Sequence, residues 1–151
     1  MNLPPQARNP SAGRAETRAP GRVARPREFS ILYVEHAAAV ADAVRETLEA
    51  SGWRVEVCAR GDEALGRLQG GASYDLLILD FALPGLDGVE LARHARRLPR
   101  AAATPIIMFT ACEVEREARR AGVDEYLRKP RGVYSIAGTA ARLLARRAGQ
   151  E

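Results

Sequence analysis

From Phe29 onward the chain alternates between two hydrophobic periods. Phe29-Ser-Ile-Leu-Tyr-Val-Glu35 is a continuous apolar run of strand length. Val40, Val44 and Leu48 then recur at helical spacing, and Gly52 stops that helix. Trp53-Arg-Val-Glu-Val-Cys58 alternates as a half-buried strand does. Ala64, Leu65 and Leu68 predict a short helix ended by Gly70-Gly71. Asp75-Leu-Leu-Ile-Leu-Asp80 is a second continuous apolar strand. Asp87 followed by Glu90 has the form of a capping box, opening a helix with Leu91, Ala95 and Leu98 on one face. Pro105 to Thr110 reads as a strand, and Val114, Ala118 and Ala121 as a thin helix ended by Gly122. Val123 to Leu127 is a short strand, and Ile136, Ala140, Leu143 and Leu144 mark the last helix.

These are five βα units in strict alternation. Continuous apolar strands belong to parallel sheets covered on both faces. The pattern therefore predicts an α/β domain over residues 28–151: a doubly wound, flavodoxin-like (βα)5 sandwich with a five-stranded parallel sheet in the order 2-1-3-4-5. After the fifth strand there is room for about one helix and no appended output domain.

In an open parallel sheet the working groups lie beyond the carboxyl ends of the strands. Those ends read Glu35-His36, Asp80, Thr110 and Lys129. In the expected order strands one, three, four and five are adjacent, so the four groups converge on one edge. A carboxylate, a hydroxyl and an ammonium gathered there suit a phosphoryl group and a divalent cation. Asp80 can serve as nucleophile, Lys129 can neutralise phosphoryl charge, and Thr110 can hydrogen-bond a phosphoryl oxygen. Mg²⁺ would draw oxygen ligands from Asp80, a backbone carbonyl and water.

Composition sharpens one residue and dismisses one class of partner. The chain has 22 Arg and a single Lys, Lys129. A bias that strong supplies Arg wherever any cation will do, so a compact ammonium at a strand end points to a site that rejects the planar guanidinium fork. The formal charge is +4, yet residues 1–27 alone carry six Arg against one acid, Glu16. Residues 28–151 are close to neutral, so a nucleic-acid partner is not expected and the helix-three and helix-five arginines read as solvated faces. Residues 1–27 also hold five of the nine prolines, which predicts a disordered Pro/Arg-rich tail. No apolar run is long enough to cross a membrane. Two cysteines, Cys58 and Cys112, argue for neither a disulfide scaffold nor a Cys-based zinc site, and a reducing, cytoplasmic setting follows. There is no Gly-rich phosphate loop or nucleophile elbow, so an enzyme in the ordinary sense is not expected.

The segment Asp75-Leu-Leu-Ile-Leu-Asp80-Phe-Ala-Leu-Pro84-Gly-Leu-Asp87-Gly88 strongly resembles the phosphoacceptor segment of response-regulator receiver domains. Phe109-Thr110-Ala111 and Ala121-Gly122-Val-Asp-Glu-Tyr126-Leu-Arg-Lys129-Pro130 resemble that family's later motifs. Together they span about residues 28–147, in the right order on the right strands. The resemblance implies a stand-alone response regulator of two-component signalling. Asp80 would accept a phosphoryl group from a sensor histidine kinase or phosphotransfer protein, and an unknown downstream protein would read the result. It further implies a cis Lys129–Pro130 bond, Lys129 paired with Asp80, and a switch in which Thr110 moves toward the phosphoryl group and Tyr126 follows it inward. Mg²⁺ would sit on Glu35, Asp80 and the Ala82 carbonyl.

Two features depart from that pattern. Strand one ends in Glu35-His36 rather than two adjacent acids, and His36 falls where a direct carboxylate ligand is expected. Removing a unit charge about 4 Å from a cation forfeits on the order of 4 kcal/mol at an effective dielectric near 20. Three outcomes follow. Mg²⁺ binds weakly through Glu35 and Asp80; the site takes a metal that accepts nitrogen, such as Mn²⁺ or Zn²⁺; or protonated His36 pairs with Asp80 and no metal is used. The last would make the chain a phosphorylation-independent interaction module, the alternative to a phosphoacceptor switch. Second, the stretch from Thr110 to Gly122 is a few residues short for the family, so either helix four is short or the loop that leads into it is trimmed.

Overall fold

The computed structural model describes residues 27–150; residues 1–26 of the expected disordered tail lie outside the described residues. The strands are β1 (Ser30–Val34), β2 (Arg54–Cys58), β3 (Leu76–Leu79), β4 (Ile106–Thr110) and β5 (Glu125–Arg128). The helices are α1 (Ala38–Glu49), α2 (Gly61–Gln69), α3 (Gly88–Arg97), α4 (Glu115–Arg120) and α5 (Ile136–Ala148). The five strands are all parallel and run in the order β2-β1-β3-β4-β5. This is the flavodoxin-like sandwich that the alternation predicts.

Why the central strands are apolar throughout is visible in how they divide their side chains. Ile31 and Tyr33, Leu76 and Ile78, Ile107 and Phe109 point to one face, where they bury Val44 and Leu48 of α1 and Ile136, Ala140 and Leu144 of α5. Leu32 and Val34, Leu77 and Leu79, Ile106 and Met108 point to the other, against Ala64 and Leu68 of α2, Leu91 and Ala95 of α3 and Ala118 of α4. Both faces are covered, so alternation would leave polar atoms in a core. Only the edge strand β2 keeps an alternating pattern, with Arg54 and Glu56 exposed.

The boundaries differ from the sequence reading in places. β5 starts at Glu125 rather than Val123. Gly122 turns with φ +97°, and Asp124 caps the strand edge: its amide donates to the Ile106 carbonyl at 2.9 Å and its carboxylate accepts the Ile106 amide at 2.8 Å. The Asp87–Glu90 box is only half formed. Asp87 Oδ1 accepts the Glu90 amide at 2.8 Å, while the Glu90 carboxylate meets Arg93 one turn on. A 3₁₀ turn, Arg131–Tyr134, which the periodicity did not signal, links β5 to α5. Helix α4 is six residues long, as its short sequence allows.

One arginine of helix three does not lie on a solvated face. Arg96 of α3, with its side chain 23 % exposed, threads its guanidinium into the loops at the amino end of β4 and β5. It donates to the carbonyls of Thr104 (2.6 Å), Ala102 (3.2 Å) and Gly122 (2.7 and 3.1 Å) and pairs with Asp124 at 3.0 Å. The planar fork explains why Arg stands there: several donors diverge in one plane toward fixed acceptors.

Candidate functional site

Three of the four strand ends that carry chemistry are stitched to a neighbouring strand by their own backbone. The Glu35 amide donates to the Cys58 carbonyl that ends β2, Asp80 to Val34 that ends β1, and Lys129 to Thr110 that ends β4, at 2.9, 3.0 and 2.9 Å. The parallel register therefore carries residues far apart in the chain to one edge. The Lys129–Pro130 peptide is cis, as the family motif implies.

Side chains complete the cluster. The Lys129 ammonium lies 2.5 Å from Glu35 Oε2 and 3.0 Å from Asp80 Oδ2, above the Phe109 ring at 5.3 Å. Glu35 and Asp80 are 2 % and 6 % exposed. Burial opposes the charged ammonium, but hydrogen bonds and attraction from the two carboxylates outweigh it and hold Lys129 above the ordinary lysine range. Glu35 is engaged at both oxygens: Oε1 accepts the Ala37 amide at 3.1 Å, and Oε2 also accepts the Tyr33 hydroxyl at 3.3 Å. Burial, then the Glu35 charge, pushes that phenol well above its usual range, so Tyr33 stays a donor. Asp80 differs. Lys129 takes Oδ2, while Oδ1 accepts nothing among the described residues and is not sealed from solvent.

His36 is exposed, yet one ring nitrogen lies within 4.8 Å of ligand oxygens of both Glu35 and Asp80. Ala82 sits exposed, two residues beyond Asp80. Thr110 is fully buried at the end of β4, its hydroxyl accepting the Cys112 amide at 3.2 Å. Tyr126 is half-buried on β5, where its hydroxyl donates to the Cys112 carbonyl and accepts the Val114 amide at 3.2 Å. It thus clips the loop that follows Thr110. The structure brings Glu35, His36, Asp80 and Lys129 into one pocket, and holds Thr110 and Tyr126 on the same edge through that loop.

The donor set fits a divalent cation. Two buried carboxylates face one ammonium, leaving net negative charge, and a third ligand type stands at reach. The loop that carries Ala82 is set by two glycines that were not singled out from the sequence. A Cβ on Gly61, at the start of α2, would sit 1.8 Å from the Leu86 carbonyl oxygen, and one on Gly88 would sit 2.0 Å from the Asp80 carbonyl oxygen. The Gly61 amide also donates to the Pro84 carbonyl at 3.0 Å. The loop after Asp80 is thereby pressed between α2 and α3. No local pattern marks Gly61; only the contact reveals what its missing side chain allows.

Comparisons with known proteins agree with this fold. A family model described as the response regulator receiver domain matches residues 31–138. The chain is 46 % identical over 103 residues to the phosphate regulon transcriptional regulatory protein PhoB of Rhizobium meliloti, covering 66 % of this chain and 45 % of that protein. It is 38 % identical over 122 residues to the transcriptional regulatory protein TcrA of Mycobacterium tuberculosis, covering 79 % of this chain and 46 % of that protein. The chain thus spans under half the length of these curated relatives. Among solved structures, a CheY-like receiver domain protein from Methanospirillum hungatei matches with TM-score 0.75 at 25 % identity, over 83 % of this chain and all of that one. The receiver domain of a sensor histidine kinase from Pseudomonas aeruginosa, solved with a magnesium ion in its active-site cleft, matches with TM-score 0.69 at 28 % identity, over 82 % of this chain and 99 % of that one.

Proposed function

We propose that this chain, which belongs to the response-regulator receiver domain family, accepts a phosphoryl group on Asp80 from a histidine kinase or phosphotransfer protein and passes the signal on by protein–protein contact. The observation that carries the reading is the asymmetry of Asp80: one carboxylate oxygen is held by Lys129 and the other has no partner among the described residues. Oδ1 attacks the phosphorus of a phosphohistidine, the O–P bond forms as the P–N bond breaks, and the released imidazole takes a proton from solvent. Lys129, already between two carboxylates, turns its charge to the phosphoryl oxygens as they arrive. The Thr110 hydroxyl gives up the Cys112 amide to reach the phosphoryl group, which loosens the loop that Tyr126 clips and reshapes the α4–β5–α5 face. A divalent cation, held by Glu35, Asp80, the Ala82 carbonyl and His36, would supply positive charge against the same oxygens, and Mg²⁺ would be held more weakly there than by two adjacent acids.

The output is a protein partner rather than nucleic acid, because the positive charge lies outside the domain. Two free cysteines, with no helix among the described residues long and apolar enough to cross a membrane, suit a cytoplasmic setting. The trimmed α4 implies a partner choice of its own. His36 favours the second reading, an interaction module that never takes phosphate. The two separate in one experiment. Incubation with acetyl phosphate and divalent cation should give an acid-labile phosphoryl group on the wild type and none on Asp80→Asn. No uptake with Mg²⁺, Mn²⁺ or Zn²⁺ would establish the second reading instead.

A further inference from the structure

We infer that the site selects a divalent cation that accepts nitrogen, of the Mn²⁺ to Zn²⁺ class, over Mg²⁺, with the His36 imidazole as a direct ligand. The inference rests on the metal-assisted reading of the same pocket and names its ion. Its basis is a contrast between three side chains. Glu35 and Asp80 are buried and tied to Lys129. His36 is exposed and makes no hydrogen bond or ion pair with any described residue, so its ring turns inward without breaking anything. All three ligand atoms already lie within 4.8 Å of one another. Ligands that share one such ion, each about 2.1 Å from it, stand roughly 3 to 4 Å apart. A small rotation of the free imidazole closes the difference.

The charge-pairing alternative, in which His36 replaces the metal, does not match these contacts. Asp80 is paired with Lys129 at 3.0 Å, and no ion pair links it to His36. What remains is a set of two carboxylates and one imidazole. Mg²⁺ requires near-octahedral oxygen ligands and gives up its water reluctantly, so a nitrogen donor adds little for it. Zn²⁺ gains from both ligand types, and Mn²⁺, though it is suited to oxygen, stands above Mg²⁺ in tolerating an imidazole beside the carboxylates.

The test is calorimetric titration of the untagged full chain with Mg²⁺, Mn²⁺ and Zn²⁺, in the wild type, His36→Asp and Asp80→Asn. The exposed position of His36 makes its replacement safe for folding. The Mn²⁺-to-Mg²⁺ affinity ratio should fall at least about tenfold in His36→Asp, a change of about 1.4 kcal/mol. Electron spin-echo spectra of the Mn²⁺-loaded wild type should show ¹⁴N coupling that His36→Asp removes. An unchanged ratio, an absent nitrogen coupling, or metal binding seen only in His36→Asp would overturn the inference while leaving the phosphoacceptor pocket in place. Metal bound equally by Asp80→Asn, or by no variant, would overturn both together.

Discussion

Lys129→Met removes the charge that holds the pocket together and keeps most of the side chain's apolar stem. At 2.5 and 3.0 Å and an effective dielectric near 20, the two attractions of Lys129 are worth about 6 kcal/mol each before desolvation. The repulsion between Glu35 and Asp80, whose ligand oxygens lie within 4.8 Å, is then left unopposed at no less than about 3.5 kcal/mol on the same basis. Desolvation of the ammonium offsets much of the attraction in the wild type. The expected net loss is therefore that of breaking a buried ion pair from one side, about 3 to 5 kcal/mol. Urea unfolding followed by far-UV circular dichroism measures it. A divalent cation replaces the missing charge, so it should bind the variant more tightly and stabilise it more than the wild type. Cation at a hundred times its dissociation constant adds about 2.7 kcal/mol. If Lys129→Met unfolds within about 1 kcal/mol of the wild type, or the cation stabilises the wild type more, the two carboxylates are not held by this lysine in solution.

Two further expectations concern the frame around the pocket. Arg96→Ala strands the carbonyls of Thr104, Ala102 and Gly122 and should lower stability by about 2 to 4 kcal/mol. Arg96→Lys should recover only part of that loss, and neither should alter metal affinity; equal stability of the Lys variant and the wild type would dismiss the role of the fork. Gly61→Ala drives a methyl group into the Leu86 carbonyl, so it should weaken metal binding through the displaced loop. Gly66→Ala, one turn on with nothing within 4 Å, should leave the pocket alone and stabilise the helix by roughly 0.5 to 1 kcal/mol. Titration and urea midpoints of the two variants, side by side, decide it.

Much of this molecule is written locally. A strand such as Leu76–Leu79, buried on both faces, must be apolar at every position, and a helix that covers one face must repeat its apolar residues every three or four. Those periods need no knowledge of distant contacts, so the order of elements and the residues at the strand ends follow directly from the chain. The lone Lys129 among 22 Arg was legible for a related reason: a compositional bias makes its own exceptions visible.

Other features depend on where two segments meet, and one-dimensional patterns do not hold that information. Arg96 looks like any arginine on a polar helix face until the α3–β4 and α4–β5 loops deliver their carbonyls to it. Gly61 looks like a poor helix residue until the loop after Asp80 crosses its missing side chain. Tyr126 became a clip for the β4–α4 loop only once that loop was folded over it. His36 shows the division most plainly. The chain alone marks it as an unusual residue at the right strand end and leaves open whether it binds metal or pairs with Asp80. Tertiary structure gives Asp80 to Lys129, engages both oxygens of Glu35, and leaves the imidazole unpaired beside them. Local sequence sets which groups stand at each strand end, because strand and helix periods are short-range. Which of those groups neutralise one another is set by distances across the sheet, and only the folded chain fixes those.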